Sequence, residues 1–330
     1  MKSINVLLKF FTIIMLSIII TSCTDDDDSG DLGNWVESSS FDGDARGNSV
    51  SFVIGDNGYL VAGYDGDDYL NDVWEYNNEG DYWVQKADFP GVARSGAVGF
   101  SIEGNGYIGT GYDGDDKLKD FWSFDPESNT WEQKADFSGT ERYGAVGFAV
   151  SGMGYIGTGY DGSELKDFYQ YNPSTDEWVQ SVGFGGDKRR DAAVFTIGNK
   201  AYMGTGLHNG AYENDFYVFD GSTETWTRLK DLDDDDEDYS ILLSSGVGFS
   251  LNGLGYIATG DIAGVSSYVW EYNPNTDTWE EIPNYEGSAR QDAIAFSFSD
   301  KAYVLMGRSG SYYFDDNWEF RPDEEENEDD

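Results

Sequence analysis

The sequence predicts an all-β chain made by stacking one repeated unit, and three observations carry that reading. A motif around Tyr-Ile-Gly-Thr-Gly recurs about every 48 residues, at Gly106–Gly111, Gly154–Gly159 and Ala201–Gly206, with looser copies at Gly58–Gly63, Gly255–Gly260 and Ala302–Gly307. The apolar segments between turn signals are short and rich in aromatic residues, which make up 16% of the chain beside 42 glycines and only 6 prolines. No segment sustains the 3.6-residue apolar stripe of an amphipathic helix. A fixed period of this kind means that each unit buries its apolar face on its neighbours, since one unit alone cannot.

The N-terminus precedes the repeat. Lys2 and Lys9 flank the start of the apolar run Phe10–Ile20, too short for a comfortable membrane span, so residues 1–22 read as a signal peptide. The run closes on Thr21-Ser22-Cys23. Small residues before a lone cysteine resemble a bacterial lipobox, which implies that Cys23, the single cysteine, becomes a lipidated N-terminus. The acidic run Asp25–Asp28 behind it resembles the surface-export signal of Bacteroidota lipoproteins. An outer-membrane lipoprotein exposed at the cell surface is therefore expected, with residues 23–33 as an acidic tether.

The repeat proper is expected over residues 34–322. The second unit shows its four strands, a to d: Ala97–Ser101, Tyr107–Thr110, Asp120–Phe124 and Thr130–Gln133, separated by turns at Glu103–Gly106, Asp113–Asp116 and Asp125–Asn129. Each strand-d tryptophan marks one unit: Trp83, Trp131, Trp178, Trp226 and Trp279. The sixth unit, around Tyr303 and Trp318, stops at Pro322 without a fourth strand. The missing strand is found at the other end, where Asn34-Trp35-Val36-Glu37 matches Tyr82-Trp83-Val84-Gln85. Residues 323–330 read as a disordered acidic tail, and the cluster Asp231–Asp238 as a solvated loop.

An arginine about thirteen residues before the strand-b tyrosine, an aromatic strand c and a strand-d tryptophan together resemble the Kelch repeat. The resemblance implies a β-propeller of six four-stranded blades, closed by pairing the N-terminal strand into the last blade and so leaving no open edge.

Because the strands of a blade alternate in direction, the d-to-a and b-to-c connections emerge on one face, and two residue series meet there. One is Arg46, Arg94, Arg142, Arg189 and Arg290, with Leu243 in the fifth unit. The other follows strand b: Tyr64, Tyr112 and Tyr160, then the divergent His208, Asp261 and Arg308. Guanidinium groups suit carboxylates and tyrosine faces suit sugar rings, so an arginine-lined mouth that grips a glycan or a protein is expected. In some Kelch domains an arginine at this position meets acidic ligands, and the resemblance extends to six-bladed sialate mutarotases, which implies a sugar-acid enzyme as one alternative, a structural partner in an outer-membrane assembly being the other. The competing reading pairs each arginine with an acid of its own blade, such as Asp72, Asp120, Asp167 or Asp215.

Inventory removes other chemistries. One histidine and one cysteine cannot build the copper-radical centre that some Kelch-bladed oxidases carry, and no cofactor or metal is expected. A zinc site or a Ser-His-Asp triad would each rest on His208 alone. The Asp65–Asp68 and Asp113–Asp116 loops match no calcium-loop spacing and read as turn formers. A net charge of −43 disfavours nucleic acid, leaving a glycan or protein ligand, the outer membrane through Cys23, and other envelope proteins as partners.

Overall fold

A computed structural model describes residues 32–233 and 239–327. The expected signal peptide, Cys23 and most of the expected tether lie outside the described residues. Among those described there is no helix. Six four-stranded antiparallel sheets follow one another, together with a two-stranded hairpin in blade four and another in blade six. The first blade comprises Val50–Ile54, Asn57–Tyr64, Tyr69–Asn77 and Tyr82–Gln85, paired in that order. Blades two to five repeat this order. The sixth is assembled from Ile294–Ser297, Ala302–Leu305, Asn317–Glu325 and, on its outer edge, the N-terminal strand Leu32–Glu37. The closure read from Trp35 is thus present: Trp35 sits opposite Phe320 and is fully buried.

That closing strand runs further than expected at both ends. Leu32 pairs with Glu325, so the sheet takes in residues assigned to the tether (32 and 33) and to the acidic tail (323–325). Alternating charged positions tolerate an edge ladder, because their side chains face solvent while the backbone is paired. The acidic loop after blade four also departs from expectation: Leu232 is fully buried in a cluster with Tyr239, Ile241 and Leu243, and Asp231 accepts hydrogen bonds from Arg228. Residues 234–238 lie outside the described set.

The repeat motif owes its spelling to packing between blades. The strand-a phenylalanine stacks on the strand-b tyrosine of its own blade, as in Phe100–Tyr107 and Phe195–Tyr202, with centroids 5.8 and 5.4 Å apart. It also lies on the next blade's residue before that tyrosine. A Cβ at Gly106 would come within 2.1 Å of Phe52, and one at Gly255 within 2.0 Å of Phe195, so glycine is required at both. Nearer the axis only small side chains fit, and the innermost strands present Ser51, Ser101, Ala149, Thr196, Ser250 and Ser297 to a vestibule of about 430 Å³.

Candidate functional site: the channel mouth

The two connections expected on one face do meet there. In every blade the residue after the arginine position bridges the residue that follows the strand-b glycine: Gly47 with Tyr64, Ser95 with Tyr112, Tyr143 with Tyr160, Arg190 with Leu207, Ser244 with Asp261, and Gln291 with Arg308.

The arginines themselves turn away from the mouth. Arg46, Arg94, Arg142, Arg189 and Arg290 have no solvent exposure. Each closes on the strand-c aspartate of its own blade. Arg94 donates to both Asp120 oxygens at 2.6 and 2.8 Å, Arg142 to Asp167 at 2.6 and 3.0 Å, and Arg290 to Asp316 at 2.5 and 2.7 Å. Arg46–Asp72 and Arg189–Asp215 complete the series.

In Arg94 and Arg142 the same Nη1 that meets the aspartate also reaches the carbonyl of the residue ending strand b, Thr110 and Thr158 respectively, both at 2.9 Å, while Nε donates to the carbonyl two residues earlier in the chain. Those threonines have φ of 64° and 59°, and the glycines after them 105° and 87°. Gly-Thr-Gly is thus a left-handed exit from the strand, and its freed carbonyl is capped by the arginine. An aromatic ring five residues before each arginine covers the guanidinium, with Phe89 4.9 Å from Arg94 and Phe184 4.7 Å from Arg189. Burial works to raise the Asp72 and Asp120 carboxyls, yet the hydrogen bonds and charge of Arg46 and Arg94 hold both below the ordinary range. The expectation of an arginine-lined mouth is therefore corrected: the forks are consumed inside the blades.

The other expected residues divide. Tyr64 and Tyr112 donate their hydroxyls to the carbonyls of Gly66 and Gly114 in their own loops, leaving only their rings to the surface. Tyr160 faces Tyr143 at 5.6 Å, with Lys117 and Arg190 over its ring at 5.9 and 5.2 Å. Arg308 lines the recess and donates to Asp292 at 2.7 Å. His208 lies in the blade-four hairpin Leu207–His208/Ala211–Tyr212, its Nδ1 3.5 Å from Glu213. Glu213, Asp187 and Asp215 bring carboxylate oxygens within 4.8 Å of one another, and buried Arg189 supplies their compensating charge through Asp215. The acidic loops are turns: Asp65 accepts from the amides of Asp67 and Asp68 at 2.8 and 2.7 Å.

Residues outside the expected set complete the mouth. Two positions after each arginine (or Leu243) stand Asn48, Gly96, Gly144, Asp191, Ser245 and Asp292, all with φ between 54° and 60°. Their backbones form a closed ring, each N–H donating to the preceding blade's carbonyl at 2.9 to 3.0 Å, with Asn48 returning to Asp292. A throat of about 180 Å³ passes through it, and a recess of about 510 Å³ opens above it. Around half of the rim runs an arc of tyrosines. Successive centroids are 6.0 Å for Tyr313–Tyr64, 4.8 Å for Tyr64–Tyr69, 6.0 Å for Tyr69–Tyr112, 5.5 Å for Tyr112–Tyr143 and 5.6 Å for Tyr143–Tyr160.

On the floor, Asp191 retains 24% of its side-chain exposure, toward the channel. Burial first, then the charges of Asp292 and Glu164, push its carboxyl up to about 7 against the opposing pull of Arg190. Arg190 and Tyr143 could have been found in the sequence as departures from the repeat just after the arginine, where other units carry Gly, Ser or Gln, and Asp191 with Asp292 as the two acids at the next position, where other units carry Asn, Gly or Ser.

Fold and mouth together define a six-bladed β-propeller with a recessed, aromatic-walled opening on its axis. The KLHDC2/KLHL20/DRC7 Kelch-repeats domain matches residues 46–188, the first three units. A solved structure titled "Structure of YjhT" is similar with a TM-score of 0.72 at 15% identity, covering 85% of this chain and 95% of that one, a likeness of fold. No curated protein matches the chain.

Proposed function

We propose that the protein is a binding module that holds a glycan in the tyrosine-walled mouth and is displayed on the bacterial outer membrane through lipidated Cys23. The observation that carries this reading is the arc of six tyrosines, three of which (Tyr112, Tyr143 and Tyr160) line a recess of about 510 Å³, a size typical of small-ligand sites. Aromatic faces next to Gln291, Ser244 and Ser95 offer stacking and hydrogen bonds together, which is what a pyranose ring asks for. The sugar-acid enzyme reading drew on the arginines, and their enclosure in ion pairs withdraws that support.

The test is a glycan array probed with the purified full-length chain and with a Tyr112→Ala, Tyr143→Ala double variant. Retention of a glycan by the wild type, weakened at least tenfold in the variant while the melting temperature holds, is the expected result. An array on which the wild type retains nothing overturns the glycan reading and moves the search to a protein partner on the blade rims.

A further inference from the structure

The charge left at the mouth has the opposite sign from the one that five arginines in the sequence suggest. Four carboxylates line the recess, Asp115, Asp191, Asp261 and Asp292, against two lining cations, Lys117 and Arg308, with the Arg190–Glu164 pair beside it. Both cations are engaged, Arg308 with Asp292 at 2.7 Å and Lys117 over the Tyr160 ring at 5.9 Å. Asp292 is further supplied by the Gln291 amide at 3.2 Å.

Asp191 is served less well. Among the described residues its one cationic neighbour within ion-pair distance is Arg190, at 3.6 Å, and that guanidinium is shared with Glu164 at 3.8 Å. The groups facing Asp191 are Arg190 beside it in the chain, Glu164 and Tyr143 from blade three, and Asp292 from blade six, so acids outnumber bases around it. Burial first, then the charges of Asp292 and Glu164, make the carboxyl resist ionisation despite Arg190. A donor cation brought to this carboxylate gains a charge-assisted hydrogen bond and relieves that penalty. The mouth also shows that its aromatic faces take cations, since Tyr160 already carries two.

We infer that the mouth selects glycans bearing a protonated amine, with the ammonium seated on Asp191 above the backbone ring and the sugar face against Tyr112 and Tyr143. The inference rests on the mouth being the glycan site. The field of a chain with net charge −43 steers such ligands inward and repels acidic sugars.

The test measures binding of the full-length chain at pH 7.5 to a β-1,4-linked glucosamine tetramer, to its fully N-acetylated form and to tetralysine, at low and moderate salt. Expected is binding of the free-amine tetramer that weakens with salt, falls at least tenfold on N-acetylation, and falls similarly in Asp191→Asn. Asparagine tolerates the left-handed backbone at this position, so the variant keeps the ring. Equal binding of the acetylated tetramer, or unchanged binding by Asp191→Asn, overturns the inference while leaving the mouth a glycan site if Tyr143→Ala still abolishes retention. Tetralysine binding that ignores Tyr143→Ala overturns the sugar as the carrier of the amine. Retention of no saccharide in any form removes the glycan reading itself.

Discussion

Arg189 and Arg190 are neighbours in the chain with opposite surroundings. Arg189 is fully enclosed, bonded to Asp215 and to the Thr205 carbonyl, under the Phe184 ring. Arg190 points to the mouth, keeps 30% of its side-chain exposure and lies over Tyr160 between two carboxylates. The first belongs to a clamp layer repeated in five blades; the second belongs to a surface that varies from blade to blade, the repeated Tyr64, Tyr112 and Tyr160 apart. Blade five sharpens the lesson, because Leu243 replaces the arginine and Tyr268 stands where the other blades have the aspartate, its carbonyl accepting from Thr259 as that of Asp120 accepts from Thr110. Where one partner of the clamp is lost, so is the other. Repetition in this molecule marks construction, and deviation marks the candidate site.

The largest expected effect breaks the clamp on one side only. Arg94→Ala strands Asp120 and the Thr110 carbonyl in a buried layer and should cost about 3–5 kcal/mol, read by urea denaturation. A loss below about 1 kcal/mol would mean that the clamp contributes little to stability. Replacing both partners by the blade-five pair, Arg94→Leu with Asp120→Tyr, should leave the protein more stable than Arg94→Leu alone, since no buried charge is orphaned; a double-mutant cycle measures the recovery.

A pH-dependent effect concerns the mouth. Asp191 has a folded-state pKa of about 7, above its ordinary value, so the folded chain holds that proton more tightly than the unfolded one. Stability from this group is greatest below about pH 4 and declines as pH rises toward 7. Asp191→Asn does not titrate, and its melting temperature relative to wild type should climb across that window and level off above it. A difference independent of pH would show that the carboxylate is already neutralised.

Much of the fold is legible in the chain. The Tyr-Ile-Gly-Thr-Gly period dictates the unit, Trp35 shows which strand closes the ring, and the loss of Arg and its partner together in the fifth unit was open to reading as a pair. The mouth was legible only in part. Tyr64, Tyr112 and Tyr160 were found because they repeat, while Tyr69, Tyr143 and Tyr313, which complete the arc, occupy different positions in their units. Arg190 and Asp191 stand beside a repeating arginine whose periodicity masks them.

What the sequence determines alone is therefore local and periodic: strand, turn, left-handed exit and blade number follow from side-chain size and backbone freedom repeated at a fixed interval. The direction in which each arginine points was decided by tertiary structure. A guanidinium at the end of a strand can reach solvent or fold back, and the choice depends on an aspartate 26 residues away in four of the five blades, brought within 3 Å only when the blade closes. The sign of the charge left at the mouth follows from that choice, because it is what remains after the interior pairs have formed.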